Sequence, residues 1–74
     1  MSNFIKFKNQ IINKKYVIGL KKSAAHFDTL GWIYSIEIDV AYSSCDNIHD
    51  YIEYYDSEKI RDERFIELQN ELME

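Results

Sequence analysis

Residues 32–42 read Trp-Ile-Tyr-Ser-Ile-Glu-Ile-Asp-Val-Ala-Tyr. Trp32, Tyr34, Ile36, Ile38, Val40 and Tyr42 fall on one parity. Ile33, Ser35, Glu37, Asp39, Ala41 and Ser43 fall on the other. Period two, sustained over a run rich in β-branched and aromatic residues, is the pattern of a strand. A helix would scatter the same residues around its axis. The stretch therefore predicts a long antiparallel strand with one buried and one wet face. Trp32 is expected on the buried face, and Glu37 and Asp39 on the wet one.

The segments before it repeat the pattern more weakly. In Tyr16–Lys22, Tyr16, Ile18 and Leu20 share one side, while Val17, Gly19 and Lys21 share the other. A glycine in mid-strand marks a bulge or a close backbone neighbour. Asn3–Phe7 and the run from Gln10 to Lys22 flank Lys8-Asn9, and asparagine tolerates the left-handed conformation that a tight hairpin needs. The two runs are expected to pair, with an irregularity near residues 13–15. Residues 23–31, closed by Gly31, read as a connection. Residues 44–50 read as a second turn, dense in turn formers.

After that turn, residues 51–55 read as a short strand with Ile52 and Tyr54 facing the core. Asp56-Ser57 offers N-cap oxygens, and the helix is expected over residues 57–73. Ile60, Phe65, Leu68 and Leu72 form one apolar stripe on it, of the width a core-facing helix requires. The whole predicts an α+β fold in a single domain, residues 1–74. It is a small antiparallel meander of about four strands within residues 3–55, with the C-terminal helix packed on one face.

Charge is divided along the chain. Residues 1–22 hold six lysines and no acid. Residues 23–74 hold all thirteen acids against Lys59, Arg61 and Arg64, so +6 and −10 lie within a net charge of −4. Such a split needs a partner for each end, either the other half of the chain or another molecule. The simplest expectation is an acidic helix closing over strands flanked by lysines.

The sequence lacks the signatures of most catalytic classes. Cys45 is alone, so no disulfide forms within the chain, and a reducing, cytoplasmic location is expected. The amino terminus has no secretory signal pattern, and no run approaches the ~20 apolar residues that span a bilayer. Cys45, Asp46, His49 and Asp50 sit within six residues, but the paired Cys-x-x-Cys or His-x-x-x-His spacing of a metal site is missing. Cys45 has Asp46 beside it, whereas a reactive thiolate needs an electropositive setting. The exposed pair Glu37 and Asp39 lacks the desolvation that general acid–base work demands. Two isolated glycines make no phosphate loop. The expectation is a non-enzymatic protein with no metal and no cofactor.

Two binding readings remain. Glu37, Asp39, Glu53, Glu63 and Glu67 present an acidic surface suited to a basic partner protein. Val17, Ile33, Tyr51, Tyr55, Ile66 and Met73 do not fit a single buried layer, so gathered together they would form an apolar interface, with Tyr51, Tyr55, Ile66 and Met73 its candidates; a homodimer is expected through it, or else a hetero-complex through the same surface. One alternative is a homo-oligomeric structural domain; the other is single-stranded nucleic-acid binding through Lys6, Lys8, Lys14, Lys15 and Tyr16, where cations interleave with rings. The acidic balance of the whole chain disfavours it. In overall profile the short, acidic, non-catalytic chain is similar to small phage inhibitors of host nucleases, anti-CRISPR proteins among them. That likeness implies an inhibitor or adaptor and carries over no site residues.

Overall fold

The computed structural model describes residues 3–42 and 48–73. Five strands and one helix follow in order: β1 (Phe4–Phe7), β2 (Gln10–Asn13), β3 (Val17–Phe27), β4 (Gly31–Val40), β5 (His49–Tyr55) and α1 (Glu58–Met73). β1 and β2 form a separate antiparallel hairpin. β3, β4 and β5 form an antiparallel meander, and α1 packs on it. The fold is α+β, as the sequence pattern predicts, with one strand more than expected.

Local chemistry fixes each turn. Lys8 and Asn9 have φ of 50° and 61°, the left-handed pair that a two-residue hairpin loop requires. The run expected from Gln10 to Lys22 breaks where the irregularity was anticipated. The Asn13 side chain accepts a hydrogen bond from the Lys15 amide at 3.1 Å, and Lys14–Tyr16 turn through a single 3-10 turn. That turn separates the hairpin from the meander.

Residues 23–27 belong to β3 rather than to a connection. Ser23 pairs with Ser35, Ala24 with Tyr34, and Phe27 with Gly31. The loop shrinks to residues 28–30, and Gly31 closes it at φ 77°, a conformation that costs glycine nothing. Cross-strand pairing overrides the weak intrinsic preference of Ser-Ala-Ala for a strand. The register slips between Val17 and Gly19, so Val17 faces the core with Val40 while Ile18 is exposed, against the parity read from the sequence.

The core is one cluster of Ile5, Phe7, Ile12, Ile36, Ile38, Val40 and Leu68, with Leu20, Phe65 and Leu72 against it. It lies between the meander on one side and the hairpin and α1 on the other. Trp32 stands beyond it. It is 55% exposed, edge-on to His26 at 5.2 Å, because β3 and β4 continue past the layer that covers them.

The helix begins at Ser57, whose hydroxyl accepts from the Ile60 amide at 3.3 Å, the N-cap role expected of this pair. Of the stripe read from the sequence, Phe65, Leu68 and Leu72 do face the core, but Ile60 does not. Ile60 is 57% exposed, and Arg61 is buried in its place. Arg61 Nη1 donates to the Ser23 carbonyl at 2.7 Å, and its guanidinium sits 5.3 Å from the Tyr34 ring centroid. One turn on, Arg64 donates to the Lys6 carbonyl of β1. The two arginines fasten one helix to both sheets, since a buried guanidinium with carbonyl and ring partners is satisfied where an ammonium would fit less well.

Candidate protein-docking face

Because Ile36, Ile38 and Val40 point to the core, Ile33, Ser35, Glu37 and Asp39 point the other way. Register extends that outer face to both neighbours. Lys21 lies opposite Glu37, Ser23 opposite Ser35 and Ala25 opposite Ile33. Asp50 lies opposite Asp39, and Ile52 opposite Glu37. Among the described residues no element covers this face.

The face has two ends. Towards the β3–β4 turn, Phe27, Ile33, Ile52 and Tyr54 border a shallow depression whose floor includes Ser23, Ala25 and Ser35. Phe27 is 48% exposed and Tyr54 65%. Ser23 and Ser35 share a hydrogen bond of 2.9 Å between their hydroxyls. At the other end, Glu37, Asp39 and Asp50 bring carboxylate oxygens within 4.8 Å of one another. Ile33 to Asp39 is six residues of extended chain, about 20 Å at ~3.3 Å per residue.

Lys21 organises the acidic end. Its ammonium is 3.1 Å from a carboxylate oxygen of Glu37 and 3.1 Å from one of Asp39. These hydrogen bonds raise the Lys21 pKa. Burial acts to raise the Asp39 pKa, but hydrogen bonds with Glu37, Lys21 and Asp50 outweigh it and hold the carboxyl below its ordinary value. Sharing with Asp39 raises both Glu37 and Asp50. Asp39 is thus the anion of the group, and its neighbours take up protons first. Asp39 Oδ1 is closed off from solvent with no hydrogen-bond partner among the described residues. One lysine against three carboxylates leaves the cluster net negative.

The residues proposed from sequence for protein binding do not gather in one place. Glu37 and Asp39 lie on the open face. Tyr51 and Tyr55 lie on the helix side of β5, opposite Ile38 and Tyr34, and pack against the core. This reverses the expected facing: Ile52 and Tyr54 are on the open side. Every position of β5 except Glu53 in residues 51–55 is apolar or aromatic, so its pattern favoured neither face and the register with β4 decides. Glu53 also turns inward and accepts the Tyr55 hydroxyl. Burial and that hydrogen bond push the Tyr55 pKa up. Glu67 pairs with Arg64 beside Glu53. Glu63, Ile66 and Met73 are exposed on the far side of α1, Ile66 at 57% and Met73 at 85%. The apolar interface anticipated from Tyr51, Tyr55, Ile66 and Met73 is therefore not a single surface.

The residues proposed for nucleic-acid binding are divided too. Lys6 and Lys8 border a hollow shared with Glu53, Glu67 and Glu71. Lys14 and Lys15 sit in the 3-10 turn, with the Lys15 ammonium 5.0 Å from the Tyr16 ring centroid. Tyr16 is half-buried, and its ring meets that of Tyr42 at 5.0 Å, tilted by 57°. Cys45 and Asp46, part of the constellation weighed as a metal site, lie outside the described residues.

Sequence reasoning missed Lys21, Phe27, Ile52 and Tyr54 as members of one face with Ile33, Glu37, Asp39 and Asp50. The parity of residues 32–42 carried half the signal. Pairing Lys21 with Glu37 and Asp50 with Asp39 required the register.

No protein-family model matches the chain, no curated protein matches it, and no solved structure matches it. Among the described residues no helix is long and apolar enough to cross a membrane.

Proposed function

We propose that this chain is a non-enzymatic protein-interaction module, an inhibitor or adaptor, that docks a partner protein on the open face of its meander. One observation carries the reading: an uncovered sheet face places an apolar, aromatic depression against a net-negative carboxylate cluster, with Glu37 belonging to both. Antiparallel sheets commonly solvate one face with polar residues. Here Phe27, Ile33, Ile52 and Tyr54 gather around one depression on that face, and a contiguous apolar patch rimmed by polar residues marks an interaction site.

The matching partner surface carries an apolar or aromatic anchor at one end and lysine or arginine at the other. The apolar end supplies burial, and the carboxylates steer approach and set orientation. Ser23 and Ser35, at the junction, offer hydroxyls to the partner's polar groups.

The test uses a fluorescein-labelled probe peptide with lysines at one end and valine and tryptophan at the other, read by anisotropy. Binding should weaken as salt rises and disappear in Tyr54→Lys. A peptide with glutamates in place of the lysines should not bind. Equal binding of both peptides, or none by the basic one, contradicts the reading.

A further inference from the structure

The charge split along the sequence is largely not closed within the molecule. Across it, among the described residues, only Lys21 reaches Glu37 and Asp39, and Lys22 reaches Asp62 at 3.3 Å. Arg61 and Arg64 pair with acids of their own helix. Among the described residues Lys6, Lys8, Lys14 and Lys15 make no ion pair. The expected closure of an acidic helix over the amino-terminal lysines yields one ion pair among the described residues, Lys22 with Asp62, while Lys6 and Lys8 border the hollow that Glu53, Glu67 and Glu71 line without pairing with them.

The unpaired lysines also border an apolar surface. In the β1–β2 hairpin, Ile5, Phe7 and Ile12 point inward, so Lys6 and its cross-strand neighbour Ile11 point outward. Ile11 is 75% exposed. Lys14 and Lys15 follow at the open end of the hairpin, where the Lys14 amide donates to the Asn3 carbonyl at 2.9 Å. The hairpin's outer face is therefore basic with an apolar centre. The open face of the meander is acidic at one end and apolar at the other. Hairpin and meander bury their inner faces in one core, so these two outer faces look in opposite directions.

We infer that the outer face of the hairpin docks on the open sheet face of a second copy of this chain. The inference rests on the reading of that sheet face as a docking surface, and it names an occupant. The complementarity is chemical: free lysines around Ile11 on one copy meet Glu37, Asp39 and Asp50 beside Ile52 and Tyr54 on the next. Because the two faces point away from each other, a two-fold axis does not satisfy both in one pair. The contact is head-to-tail and propagates as an open chain. Exposed charges dominate its approach, and the Debye length is only about 8 Å at physiological salt, so the assembly dissolves as salt is raised. A basic partner protein competes for the same sheet face, so its arrival separates the copies.

Sedimentation velocity on the full chain and two variants tests this. Ile11→Asp with Lys15→Glu removes the hairpin face. Tyr54→Lys removes the sheet face. All three positions are exposed, and circular dichroism melts confirm that each variant folds. At low salt the unaltered chain should show a mass that climbs with concentration past the dimer. Each variant alone should stay monomeric. Mixed in equal amounts, they should form a complex of twice the monomer mass and no larger, because one intact interface remains. A mixture that stays monomeric overturns the inference, as does a wild-type dimer that stops growing. If the hairpin variant still binds the basic probe peptide while the mixture stays monomeric, self-docking falls and the docking face stands. If it binds neither, both fall. A labelled oligothymidylate that shifts with the wild-type chain, monomeric at every concentration, assigns the hairpin lysines to single-stranded nucleic acid and overturns the inference as well.

Discussion

Gly19 and Asp39 face each other across β3 and β4 so closely that a Cβ on Gly19 would stand 3.1 Å from Asp39 Oδ2. The missing side chain makes room for the buried anion of the carboxylate cluster. It also follows the register slip that brings Val17 into the core. One glycine thus serves the packing of one face and the electrostatics of the other.

Gly19→Ala is expected to change stability by less than about 1 kcal/mol. The entropic gain of replacing a strand glycine, ~0.5–1 kcal/mol, works against the displacement of a movable carboxylate. The cluster should respond more clearly. Asp39 should titrate at higher pH as its contacts with Lys21 and Glu37 loosen. An unchanged Asp39 midpoint would contradict the role given to this close approach.

Arg61→Ala should cost about 1.5–3 kcal/mol in urea denaturation, the range for a hydrogen bond to a charged group. Both the Ser23 carbonyl contact and the Tyr34 ring contact vanish with it. Arg61→Lys should recover only part, since an ammonium does not reproduce the planar stacking.

Leu68→Ala should cost ~2–5 kcal/mol, as expected for a fully buried leucine. Ile60→Ser should cost well under 1 kcal/mol, because that side chain is mostly in water. Melting curves that rank the two substitutions the other way would refute the helix orientation.

Carbon-detected titration of the carboxyls should place Glu37 above 4.5 and Asp50 above 3.8, with Asp39 and Asp62 below 3.8. The consequences for stability follow from linkage. Raised carboxyls bind protons more tightly in the folded state, so Glu37 and Asp50 add stability as pH falls from their raised values towards the ordinary ones. Depressed carboxyls do the reverse. Asp39, held down against its own burial by Glu37, Lys21 and Asp50, and Asp62, held down by Arg61 and Lys22, stabilise above 3.8. Their contribution is lost as pH falls through their folded values. Urea midpoints should therefore rise slightly on mild acidification and drop below pH 3.8.

Much of the fold was legible because its strongest signals are local. The parity of residues 32–42 gave β4 and both its faces. Lys8-Asn9 gave the hairpin, and Ser57 gave the helix start. What the sequence hid depends on pairing. β5 is apolar on both sides, so only its register with β4 shows that Tyr51 and Tyr55 go inward. Ile60 looked buried because it is apolar. Arg61 displaces it because the Ser23 carbonyl and the Tyr34 ring stand where a guanidinium is satisfied. The docking face was half visible: Glu37 and Asp39 could be placed on it, but Lys21 and Asp50 join them only across strands.

The most direct measurement is an amide chemical-shift map of the isotopically labelled chain titrated with the basic, apolar-ended probe peptide. Shifts should concentrate on the outward residues, Lys21, Ser23, Phe27, Ile33, Glu37, Asp50, Ile52 and Tyr54, and leave α1 positions such as Glu63 and Ile66 in place. Shifts confined to the exposed side of α1, with the sheet face unmoved, would contradict docking on the open sheet.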